Sequence, residues 1–140
     1  MSKKLEERRE YPPNIDQIAA VLPEAKKWPV VFFSWGRGVV YNPSGAEMNP
    51  EIVAHENAHG ERQGDTEESV LAWWDKYLAD PEFRFDEELY AHRAEYAAFC
   101  AEYKDREWRF RVAKMLSKRL SSTLYGCQVS YADCKNLITE

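Results

Sequence analysis

The segment Asn49-Pro50-Glu51-Ile52-Val53-Ala54-His55-Glu56-Asn57-Ala58-His59-Gly60-Glu61-Arg62-Gln63-Gly64 decides how the chain is read. Asn49 can cap a helix, Pro50 suits its first position, and Glu51 puts an acid in the first turn. Gly64 can end it after Gln63. On such a helix His55 and His59 are i and i+4, so both imidazoles share a face and can meet one ion. Glu56 follows about 100° round the helix, near enough to act on a water at that ion without ligating it. Ile52 and Val53 are read as an apolar back face. The pattern is that of a catalytic zinc site, in which the ion acidifies a bound water and Glu56 takes its proton. The glutamate would then pass that proton to the leaving amine of a peptide.

Two histidines do not complete a catalytic zinc site; a third protein ligand is needed. Residues 60–65, Gly-Glu-Arg-Gln-Gly-Asp, contain no further histidine. The later stretch Asp86-Glu87-Glu88-Leu89-Tyr90-Ala91-His92-Arg93-Ala94-Glu95 offers Glu87, Glu88, His92 and Glu95. Glu88 is the first choice. It shares a helix face with Ala91, whose small side chain would let two helices approach, and with His92. Glu87 and His92 remain the alternatives. His92 also stands, with Tyr90, Arg84 and Tyr125, as a candidate to stabilise an oxyanion.

Outward from the motif, Trp28–Trp35 is β-branched and aromatic, and Val39-Val40-Tyr41 follows a Gly36-Arg37-Gly38 turn, which predicts a short hairpin. A helix is expected from Asn14 to about Lys26, weakened in its second half by Pro23. Asp65-Thr66-Glu67-Glu68 opens another helix, carrying Val70, Trp73, Trp74, Tyr77 and Leu78 at core spacing and ending at Asp80-Pro81. Asp86 is expected to cap the glutamate helix through about Tyr103. Residues 106–120 continue as helix, and Ser130-x-x-Asp133 resembles a capping box for a last one. Residues 1–13 read as a loose, charged arm. The expectation is one α+β domain over residues 14–140, mostly helical, with a small N-terminal β element.

Composition narrows the function. The 140 residues are 44% hydrophobic and 14% aromatic, enough to build a core, which excludes a disordered chain. A formal net charge of −5 offers no electrostatic match to nucleic acid. No apolar run approaches the ~20 residues of a membrane helix, and the N-terminus lacks a signal-peptide core, so the chain reads as cytoplasmic. Cys100, Cys127 and Cys134, an odd number, fit free thiols in a reducing compartment.

His55-Glu56-x-x-His59 followed 88 − 59 = 29 residues later by Glu88-x-x-Ala91 resembles the zincin metallopeptidases of the gluzincin type. The resemblance implies His55, His59 and Glu88 as ligands of Zn2+, Glu56 as general base, a peptide or protein substrate, and Val39–Tyr41 as the edge strand that pairs with the extended substrate. The stretch from Trp28 to Glu95 is similar to small zincin-like proteins found among phage and prophage genes. There a strand pair leads into the motif helix, then a Trp-rich helix, then a segment like Asp80-Pro81-Glu82-Phe83-Arg84, then the glutamate helix. Leu124-Tyr125-Gly126 before a short helix adds to it more weakly. This likeness implies a phage-encoded protein of the host cytoplasm. The competing readings are a zinc-holding regulatory or assembly module with little hydrolysis, and a helical protein with a coincidental motif.

Overall fold

A computed structural model describes residues 5–122 and 130–140. The elements run β1 (Glu6–Arg8), α1 (Ile15–Val21), a 3-10 turn (Pro23–Lys26), β2 (Phe33–Ser34), β3 (Val39–Tyr41), α2 (Pro50–Gln63), α3 (Glu67–Ala79), α4 (Pro81–Glu102), α5 (Arg106–Leu120) and α6 (Tyr131–Thr139). The chain is therefore α+β and mostly helical, with one small sheet among the described residues. No helix among the described residues is long and apolar enough to cross a membrane.

Local signals account for the motif helix. The Asn49 side chain accepts from the Ile52 N–H at 2.9 Å, and Pro50 stands at the first position. Gly64, at φ 90°, ends α2 with its N–H on the Gly60 carbonyl. Gly60 has a second duty. A Cβ there would lie 2.5 Å from the Gly36 carbonyl oxygen, so only glycine lets the β2–β3 turn sit against the helix. Gln63 clamps the same join: its Oε1 accepts from Gly36 N–H at 2.6 Å, and its Nε2 donates to the Ser34 carbonyl at 3.1 Å.

The hairpin is shorter than the apolar run suggests. Phe33 pairs with Tyr41 and Ser34 with Val40, while Val30–Phe32 stay outside the sheet. Two expectations are corrected here. The residues of the supposed loose arm include β1, which pairs in parallel with β3, Glu6 opposite Val39 through Arg8 opposite Tyr41. All three β1 side chains are exposed, so no apolar alternation announces the strand. Backbone bonds and polar contacts hold it, including Asn42 Nδ2 donating to Glu7 at 2.8 Å and Arg8 donating to the Tyr41 hydroxyl at 3.0 Å. As a result β3 is the central strand, in the order β1-β3-β2, and has no free edge. The edge nearest α2 belongs to β2.

The third correction concerns α4, which starts at Pro81 rather than after Asp86. Asp80 serves two helices at once. Its N–H bonds the Lys76 carbonyl to close α3, and its side chain accepts from the Glu82 and Phe83 N–H groups to open α4. Pro81, unable to continue α3, is well placed as the first residue of α4. Arg84 thus lies inside the helix. The Asn14 helix ends at Val21, and Pro23 opens the 3-10 turn. Ser130 caps α6 by accepting from Asp133 N–H.

Two apolar clusters flank the site. One gathers Ile18, Phe33, Tyr41, Val70, Trp73, Trp74, Tyr77 and Leu78. The other gathers Phe85, Leu116, Leu120, Cys134 and Ile138. Helix α4 contributes to the second, and its most extensive packing is against α2. Ala91, fully buried and one turn beyond Glu88, is the small residue on that face.

Candidate metal centre

Helices α2 and α4 bring His55, His59 and Glu88 together. The Glu88 carboxylate lies 3.0 and 3.2 Å from His59 Nε2 and 3.6 Å from His55 Nε2. One donor atom from each of the three falls within 4.8 Å of the others. All three border a cavity of about 720 Å3, as do Glu56, His92 and Glu95. Glu56 is buried, and its Oε2 accepts from the Ser34 hydroxyl at 2.5 Å. Ser34 is itself fixed, because its carbonyl takes both Gln63 Nε2 and Trp74 Nε1.

The two histidines of the motif are held differently. His55 Nδ1 donates to Glu95 Oε1 at 2.9 Å, and His92 Nδ1 meets the same oxygen at 3.1 Å. His59 Nδ1 is buried with no hydrogen-bond partner among the described residues; Trp73 and Tyr77 pack edge-on to its ring. Both imidazoles turn Nε2 toward Glu88; at Nδ1, apolar packing surrounds one and the Glu95 carboxylate holds the other.

Compared with known proteins, the chain matches no protein-family model, no curated protein and no solved structure.

The other residues singled out in the sequence separate into those that join the site and those that do not. Glu87 is turned away from the triad, and its carboxylate accepts from Arg62 Nε and from Trp73 Nε1, both at 2.6 Å. Tyr90 is exposed, with the Arg62 guanidinium 4.7 Å over its ring, and Arg84 is buried with its guanidinium 5.8 Å over Tyr77. Neither borders the cavity, whereas His92 does. Tyr125 and Cys127 lie outside the described residues. Ile52 lines the cavity rather than backing the helix; Ala58, Gly60 and Gln63 are the buried residues of that kind. Ser34 carries no sequence signal, since it sits in an apolar strand with no motif around it. Glu95 stood among the available acids, but its partnership with His55 requires knowing how the helices cross.

The electrostatics of the cluster suit a cation. Burial raises the Glu56 carboxyl above its ordinary range, against the pull of His55 and His59. Glu88 is also buried, yet the two imidazoles hold it well below that range. Glu95, despite its burial, is drawn down to about 2 by His55 and His92. For His55, burial disfavours the imidazolium, but hydrogen bonds to Glu88 and Glu95 outweigh it and place its pKa well above 6.5. Burial keeps His92 below 6.5, aided by His55. Protons on imidazole thus stand in for positive charge among buried carboxylates. Two imidazoles and a carboxylate are also a donor set that zinc accepts, so these residues fit the ion.

A pH dependence follows for the metal-free chain. His55 has a raised folded pKa, so its stabilising contribution is complete below about pH 6.5 and is lost as pH rises through the folded value. Glu88 and Glu95, with depressed values, contribute above about pH 4.5 and lose that contribution as pH falls. Glu56, raised, opposes them over the acidic range. The thermal midpoint of the metal-free chain is therefore expected to fall as pH is raised above 6.5. Zinc affinity should move the other way, since the imidazole nitrogens must shed their protons. Melting curves with chelator and with zinc, taken from about pH 6 to about pH 9, test both signs.

Proposed function

We propose that the chain is a zinc-dependent peptide hydrolase, with His55, His59 and Glu88 as ligands and Glu56 as general base. One observation carries this reading: the glutamate of the motif is buried beside the triad, on a cavity large enough for a peptide segment. A site that only held metal would have no use for that acid. When bound, the ion supplies Lewis acidity toward water and toward a substrate carbonyl.

The chain's own residues account for the rest. Glu56 takes the proton of the attacking water and delivers it to the leaving amine; burial lifts its affinity for that proton, and Ser34 holds the carboxylate in place. Glu95 fixes the ring of His55, so that Nε2 rather than Nδ1 faces Glu88. His92 borders the cavity, but burial keeps its ring uncharged at neutral pH and its Nδ1–H is given to Glu95, so Nε2 has no proton to offer an oxyanion; its part is to hold Glu95 against His55. Val30–Phe33, which line the cavity and lead into β2, replace β3 as the wall for an extended substrate.

The alternative, a zinc-holding module with little hydrolysis, draws on the short Ser34–Glu56 bond, which occupies one carboxylate oxygen. Incubation with an unfolded protein substrate separates the two. Zinc-loaded chain should create new peptide termini, chelator should stop this, and added zinc should restore it; full zinc occupancy with no cleavage would leave the module reading. The orienting role of Glu95 has its own test. Glu95→Ala is expected to weaken zinc binding by about 10–100-fold in competition with a chelating dye. An unchanged affinity would remove Glu95 from the account.

A further inference from the structure

The cavity that holds the cluster is lined by two unlike sets of residues. One is apolar, formed by Leu22, Trp28, Val30 and Val31. The other is the C-terminal end of α5, where Lys118 and Arg119 border the same cavity. Helix α5 carries six basic residues and one acid, Glu107, in a chain whose net charge is −5. Arg111 pairs with Glu107, and Arg109 donates to the backbone carbonyls of Cys100 and Tyr103. Among the described residues no carboxylate lies within ion-pair distance of Lys118 or Arg119. Residues 1–4 and 123–129 contain no aspartate or glutamate. Cations at a helix C-terminus complement its dipole, but that explains their sign and not their place on the cavity that holds the cluster.

Resting on the peptidase reading, we propose that the cleft selects peptides bearing a carboxylate that reaches Lys118 and Arg119 while an apolar side chain packs on Leu22, Trp28, Val30 and Val31. The carboxylate is either an aspartate or glutamate side chain near the scissile bond or a free C-terminus. Both cations are exposed, so their attraction is screened by salt and sets preference more than affinity.

The test is binding, read from tryptophan fluorescence of the full zinc-loaded chain. The probes are N-acetylated heptapeptides sharing a central Leu-Phe pair. One is uncharged and amidated, two carry glutamate on either side of the pair, one has a free C-terminal carboxylate, and one carries lysine. At low salt at least one carboxylate peptide should bind about three- to tenfold more tightly than the amidated one, with the difference shrinking in high salt. Which carboxylate peptide binds best tells side chain from C-terminus. The Lys118→Gln/Arg119→Gln double variant, checked for unchanged circular dichroism and zinc content, should lose the difference. Equal binding by all peptides, no binding, or a preference that survives the double variant would overturn the proposal. Cleavage is read separately by mass spectrometry. A carboxylate preference without cleavage sinks the peptidase reading and leaves this one; cleavage without preference does the reverse.

Discussion

Replacing Glu56 by Gln is expected to leave one zinc per chain and to lower hydrolysis of an unfolded protein by about 10²–10⁴-fold. That is the range in which a positioned general base contributes. Glutamine keeps the size of the side chain and can still accept from the Ser34 hydroxyl, which now lies 2.5 Å from Glu56 Oε2. It cannot take a proton from water. The substitution also removes a buried carboxylate whose ionisation burial opposes, so the fold should be no less stable. Loss of activity with intact metal would assign the chemistry to Glu56 and not to scaffolding. Equal cleavage by both forms, measured with matched zinc occupancy, would defeat the assignment of the base.

The second large effect separates two neighbouring acids. Glu88→Ala removes the carboxylate that faces His55 and His59, and zinc affinity should fall by more than about 100-fold, beyond the loss typical of a group that merely orients a ligand. Glu87→Ala should leave zinc binding nearly unchanged. Its cost is in stability: the buried Trp73 N–H and the Arg62 guanidinium would each lose a 2.6 Å partner, and an orphaned buried donor costs about 1–3 kcal/mol. The two variants are one residue apart and their signatures are opposite. Zinc titration and thermal unfolding of the same samples read both. If Glu87→Ala were the variant that lost metal, α2 and α4 could not cross with Glu88 facing the two histidines.

How much of this could be read in the residues depends on the range of the signal. Helix α2 was legible because its signals are local: Asn49 caps, Pro50 starts and Gly64 stops. The choice of Glu88 over Glu87 used only helical phase and the small Ala91, both properties of one segment. Asp80 misled because it speaks for two helices; it reads as an end when its side chain also makes a beginning. Strand β1 was illegible because Glu6, Glu7 and Arg8 bury nothing and are recruited by the backbone of β3. That recruitment turns Val39–Tyr41 from the expected edge into the centre of the sheet. Ser34 and Glu95 reach Glu56 and His55 across the packing of separate elements, 22 and 40 residues away in sequence. No pattern within either segment encodes those distances.

The arrangement also divides labour between the two motif histidines. His55 is partly exposed and tied to Glu95, whereas His59 is buried and set by Trp73 and Tyr77. Because Glu95 also engages His92, a second group of donors, His55, His92 and Glu95, lies alongside the first, again within 4.8 Å. Here Glu95 already accepts from both Nδ1 atoms, so a metal would have to displace two hydrogen bonds. The triad with Glu88 leaves those bonds intact and sits beside Glu56.

Anomalous diffraction at the zinc edge from crystals of the zinc-loaded chain tests this assignment most directly. A single strong peak is expected about 2.0–2.2 Å from His55 Nε2, His59 Nε2 and a Glu88 oxygen, with Glu95 still bonded to His55 Nδ1. A peak on His92 and Glu95, or no peak at the motif in a chain supplied with zinc, would contradict it.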